Sequence, residues 1–126
     1  MTTNLAPAVD RDETLWHHIG TLAGWLDKHN GTDAHQTAML LLKLSEESGE
    51  VAQAYLGWRG QNPRKGTTNG PEQVATELCD VVITALVALH HFTPDPPRFL
   101  AEVIQHRAER LARILHSEHH SEELNT

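Results

Sequence analysis

Two carboxylate-rich stretches carry most of the chemistry that this 126-residue chain could perform: Lys43-Leu44-Ser45-Glu46-Glu47-Ser48-Gly49-Glu50-Val51 and Glu77-Leu78-Cys79-Asp80-Val81. On a helix advancing about 100° per residue, Leu40, Leu44, Glu47, Val51 and Ala54 fall on one stripe, which sets Glu47 in the middle of an apolar face. A buried, unpaired carboxylate is costly, so a glutamate placed there needs a cation, a proton or a dense set of hydrogen bonds. Glu50 follows one turn later at the edge of that face, with Glu46 and Lys43 beside it. Glu77 and Asp80 repeat the i, i+3 spacing, Glu77 next to a stripe of Val74, Val81 and Ala88, and Asp80 further round.

Packed antiparallel, two such helices could bring four hard oxygen donors to one point, a set that suits Mg²⁺, or Mn²⁺ in its place, better than softer metals. A di-iron bundle would need Glu-x-x-His pairs, and no glutamate here has histidine three residues on. Either carboxylate pair alone is the ordinary pattern of a solvated helix face; the combination is more specific. Lys43 has two readings, an i, i+4 ion pair with Glu47 or a phosphate contact. Cys79, the lone cysteine, reads as a small buried hydrophobe with no nucleophilic role, and it has no partner for a disulfide within the chain.

The elements that must position these groups are helices. A first helix is expected from Asp12 or Thr14 to about His29, burying Trp16, Ile19, Leu22, Ala23 and Leu26 and leaving Trp25 outside, with Asn30-Gly31 as its stop. A second begins after an N-cap at Thr32 or Asp33 and ends near Leu56, before Gly57 and Gly60. Residues 57–71 hold four glycines and two prolines and read as a functional loop. A third helix runs from about Pro71 to Phe92 with Val74, Leu78, Val81, Ala85 and Leu89 on one stripe, and Thr93-Pro94-Asp95-Pro96 breaks it. A fourth starts near Pro97 and frays into a His/Glu-rich tail, whose His116, His119 and His120 read as solvated. Residues 12–116 thus form a single helical domain, between a flexible N-terminus at 1–11 and a polar tail at 117–126.

Composition agrees: 39% hydrophobic but 5% aromatic favours a helical bundle over a β-sandwich. The net charge of −7 opposes extended nucleic acid and anionic membranes as partners. No apolar run reaches the ~18 residues of a membrane span, no leader is recognisable, and a cytoplasmic location is expected.

The two motifs resemble the MazG-like branch of the all-α NTP pyrophosphohydrolase superfamily, whose signature is E-E-x-x-E followed by E-x-x-D; here residues 51–76 separate them. The resemblance spans about Trp16 to Leu115. It implies a four-helix-bundle protomer associating as a homodimer or dimer of dimers, a need that the apolar third helix from Val81 to Leu89 also suggests. It further implies Mg²⁺-dependent hydrolysis of a nucleoside triphosphate to the monophosphate and pyrophosphate. By position, the metal ligands fall on Glu47, Glu50, Glu77 and Asp80, and Glu46 becomes a candidate base. The stretch Gly60-Gln61-Asn62-Pro63-Arg64-Lys65-Gly66 looks like a family loop near the nucleotide. Arg64 and Lys65 could clamp phosphates or form a solvated basic loop. Trp58 could stack on a base or pack at the helix end, and Asn62 could read a base edge. The competing reading is a non-catalytic nucleotide-sensing or partner-binding helical module. A purely structural bundle with ion-paired carboxylates is the third.

Overall fold

A computed structural model describes residues 10–60 and 70–126, and among these it contains four helices and no strand. They are α1 (Arg11–Asn30), α2 (Ala34–Trp58), α3 (Pro71–Leu89) and α4 (Pro96–Leu124). Their ends follow local backbone chemistry. Asp10 caps α1 by accepting from the backbone N–H groups of Asp12 and Glu13, and Asp33 caps α2 by accepting from that of Gln36. Gly31 stops α1 at φ 85°, a left-handed value that glycine adopts without steric cost. Gly60, beyond the end of α2, has φ 66°. Pro71 and Pro96 open α3 and α4 at the position where a missing N–H costs nothing.

The chain divides into two compact units, Met1–Phe92 and Thr93–Thr126. In the first, α2 and α3 run antiparallel: Thr37 meets His91 near one end, whereas Glu47 meets Glu77 and Asp80 further along. α1 lies against the C-terminal end of α3, with Trp16 beside His90 and Asp27 bonded to His91. The buried core is small, consisting of Ile19, Ala23, Ala54, Leu86, Val87 and Ala88. Many large apolar side chains stay exposed, among them Leu41, Leu42, Leu78 and Val82.

The inward faces match the expected stripes with four corrections. On α1 Ile19 and Ala23 are buried and Trp16 and Leu26 half-buried, but Leu22, expected to be buried with them, is 38% exposed. On α2 the expected stripe, Leu40, Leu44, Glu47, Val51 and Ala54, is half-buried or buried throughout, and Gln36, Thr37, Glu50, Gly57 and Trp58 are half-buried as well. On α3, however, Leu78 is 50% exposed, while Val74, Glu77, Asp80, Val81 and Thr84 are half-buried. The inner face therefore steps from 74 to 77 rather than to 78, which turns both carboxylates toward α2. Cys79, expected to be buried, is exposed for the same reason, lying on the outer side of α3. Last, α3 ends at Leu89, and residues 90–92 form a turn.

In the second unit α4 continues to Leu124, through the segment expected to be frayed. No glycine or proline interrupts residues 98–124, and local side-chain bonds such as Ser121 to the Ser117 carbonyl line it.

Candidate metal and substrate site

Glu47 from α2 and Glu77 and Asp80 from α3 each offer an oxygen, and these oxygens lie within 4.8 Å of one another. The antiparallel pairing of the helices brings them together, since each sits on the face its helix turns to the other. The Glu47 side chain is 12% exposed. Glu77 accepts a hydrogen bond from the Gln73 side-chain amide through Oε1, at 2.8 Å, whereas its Oε2 is buried with no partner. A buried carboxylate oxygen is ordinarily hydrogen-bonded. An orphaned oxygen on a carboxylate that converges with two others belongs to a donor set that a hard divalent cation would complete. Glu47, Glu77 and Asp80 thus fit Mg²⁺ or Mn²⁺ by oxygen chemistry and convergence.

Glu50, the fourth expected ligand, stands beside this triad. Its carboxyl is raised above the ordinary 4.5, first by a hydrogen bond with Glu47, then by the charge of Glu47, by desolvation, and by the charges of Glu77 and Glu46.

Lys43 forms both pairings available to it: Nζ is 3.4 Å from Glu46 Oε2 and 3.5 Å from Glu47 Oε1. These neighbours raise its pKa above 10.5, Glu46 foremost. The Lys43 side chain remains 49% exposed, so the ion pairs leave one side of the ammonium in solvent. Glu46 is the most exposed of the group, at 60% for its side chain, and its lysine contact holds it at the rim.

Lys43 also lines a cleft of about 510 Å³ within the first unit. Its apolar wall comes from Leu22, Leu26, Met39, Leu40 and Val87, while Asn30, His35 and Gln36 supply polar groups. His91 forms part of the lining and is fixed there. Its Nδ1 lies 2.8 Å from Thr37 Oγ1 on α2 and its Nε2 lies 3.0 Å from Asp27 Oδ1 on α1, with the imidazole only 6% exposed. Nothing in the linear sequence distinguished His91 from its neighbour His90, so this junction and the cleft it borders were missed.

Trp58 is half-buried and packs edge-on to Tyr55, with ring centroids 5.9 Å apart. The Arg59 guanidinium sits 4.2 Å from its centroid, so one indole face is already covered. This arrangement matches the helix-end packing role rather than an open stacking platform. Asn62, Arg64 and Lys65 lie outside the described residues. Gly49 has open space where a Cβ would stand, so no helix contact within the protomer demands glycine there.

Comparison with family models, with curated proteins and with solved structures found no match.

Proposed function

We propose that this chain is a Mg²⁺-dependent nucleoside triphosphate pyrophosphohydrolase, converting an NTP or dNTP to the monophosphate and pyrophosphate. The observation that carries the reading is the convergence of Glu47, Glu77 and Asp80, with one Glu77 oxygen buried and unpartnered, next to a cleft that begins at Lys43. The resemblance of the E-E-x-x-E and E-x-x-D motifs to MazG-like enzymes supports the same assignment.

A hard divalent cation, held by Glu47, Glu77 and Asp80 with Glu50 joining once deprotonated, would neutralise triphosphate charge and activate a bound water. The remaining work belongs to the chain's own side chains. Lys43, fixed by two carboxylates yet open to solvent on one side, is placed to meet a phosphate oxygen at the cleft mouth. Glu46, held by Lys43, is the rim carboxylate suited to accept a proton. The cleft falls within the several-hundred-Å³ range typical of small-ligand sites, and its mixed lining suits a base and sugar.

Self-association as a homodimer or homotetramer belongs to the same proposal. It is supported by the exposed Leu41, Leu42, Leu78 and Val82, against a small buried core of Ile19, Ala23, Ala54, Leu86, Val87 and Ala88 among the described residues. No described helix is long and apolar enough to cross a membrane, and we place the activity in the cytoplasm.

The test is pyrophosphate release from a panel of NTPs and dNTPs with Mg²⁺, for the parent and for Glu47→Gln. Turnover by the parent and its loss in a folded Glu47→Gln protein are expected. Parent-level turnover in that variant would overturn the catalytic assignment. Mg²⁺-dependent nucleotide binding without pyrophosphate release would move the chain to the nucleotide-sensing class.

A further inference from the structure

The helical continuation of α4 to Leu124 changes what its histidines can do. In an irregular tail His116, His119 and His120 would be solvated independently of one another. On a helix they acquire fixed angular positions. With His116 as origin and about 100° per residue, Glu123 lies about 20° to one side, His119 about 60° to that same side, and His120 about 40° to the other. Three imidazoles and a carboxylate therefore share one face over two turns.

Their reach is visible in one pair, His119 Nε2 standing 3.2 Å from Glu123 Oε1. His116 and His120 have the same i, i+4 relation. Side chains so spaced have Cβ atoms about 5–6 Å apart, and two imidazoles at that separation can each place a nitrogen about 2.0–2.1 Å from one shared ion. The same i, i+4 spacing on one helix supplies two zinc ligands in the H-E-x-x-H motif.

The surroundings favour a cation as well. The site occupies the last turns of α4, where the helix dipole is negative, and Glu118, Glu122 and Glu123 add charge of the same sign. No lysine or arginine occurs between His116 and Thr126. Imidazole is nevertheless a poor ligand for Mg²⁺ and a good one for Zn²⁺, Ni²⁺ and Cu²⁺. The ligand chemistry thus separates this face from the all-oxygen cluster of α2 and α3.

We propose that His116 and His120, one turn apart on α4, form a two-imidazole binding site for a borderline transition-metal ion such as Zn²⁺, while His119 is paired with Glu123 beside them. The ion cross-links adjacent turns of α4. From His116 to Leu124 the only large apolar side chain is Leu124, so this end of the helix has little of its own to pack, and the cross-link stabilises it. The proposal stands independently of the hydrolase reading, because it shares no residue with the carboxylate cluster.

The experiment uses the full chain in millimolar Mg²⁺, which competes with Zn²⁺ for carboxylate oxygens, and titrates Zn²⁺ by calorimetry while amide exchange is followed along α4. One Zn²⁺ per chain and slower exchange in residues 113–124 are expected, both reversed by a chelator. The double variant His116→Gln/His120→Gln, altered only at exposed positions, should lose about tenfold or more in Zn²⁺ affinity. The control His17→Gln/His18→Gln, whose adjacent residues point to different parts of the α1 surface, should bind like the parent. Parent-like affinity in the His116/His120 variant, or unchanged exchange in α4 at saturation, would overturn the site. Half an ion per chain would do so too, since it would place the metal between two copies.

Discussion

Glu77→Gln separates a metal ligand from a structural acid, because the two roles give opposite signs for stability. The substitution keeps the side-chain shape and leaves a carbonyl oxygen able to accept from Gln73, as Oε1 does at 2.8 Å. It replaces the unpartnered Oε2 with an amide that can donate to Glu47 or Asp80. The electrostatic gain follows from Coulomb's law. At 4.8 Å, the upper limit of the separations among these oxygens, two unit charges repel by about 3.5 kcal/mol at an effective dielectric of 20 and about 0.9 kcal/mol at 80. Glu77 and Asp80 are half-buried, so the solvated end of that range is the better guide, at about 1 kcal/mol for each of the two pairs relieved. In metal-free buffer the variant should gain about 1–2 kcal/mol. For a chain of 126 residues that is a rise in melting temperature of about 4–8 °C. Pyrophosphate release should fall at least a hundredfold, on the order seen when a metal site loses a key group. The assay pairs metal-free calorimetric melting with turnover in saturating Mg²⁺. A variant that melts at or below the parent without metal would refute the reasoning, since Glu77 would then be stabilising the fold as an anion.

Millimolar Mg²⁺ should raise the parent's melting temperature, and Mn²⁺ should substitute, because a ligand of the native state stabilises by mass action. That rise should shrink as pH falls toward 4.5, since Glu50, whose pKa is raised, holds its proton further up the pH scale and the ion must displace it. The same raised value gives the metal-free trend: the contribution of Glu50 to stability is fully present below 4.5 and is lost as pH climbs through its folded value, which Glu50→Gln should abolish. His91→Gln breaks the junction of Asp27, His91 and Thr37 and should cost about 1–3 kcal/mol, read from denaturant midpoints; an unchanged midpoint would mean the junction is dispensable. Light scattering should give at least twice the 14.1 kDa protomer mass, and a clean monomer at micromolar concentration would defeat the assembly.

The helices, their caps and their breaks were legible in the linear chain because each depends on neighbours within four or five residues. Asp33, Gly31, Pro71 and the Thr93-Pro94-Asp95-Pro96 break act through local backbone bonds and dihedral preferences. Glu47 was legible as well, since its place on an apolar stripe is a matter of helical period alone. The continuation of α4 through residues 117–124 was not, because a polar, histidine-rich composition gives no apolar period to read, although it contains nothing that breaks a helix.

Tertiary structure decided the rest. Leu78 and Glu77 compete for the same inward turn of α3, and period alone favours the leucine. The docking of α2 gives the place to Glu77 and Asp80 and leaves Leu78 and Cys79 outside. The Asp27, His91 and Thr37 junction joins residues more than fifty positions apart, and the cleft beside it exists only once α1, α2 and α3 have packed. Helical period fixes the angle at which a side chain leaves its own helix, but the partner that a side chain meets is set by how helices pack, and that depends on every residue along the interface at once.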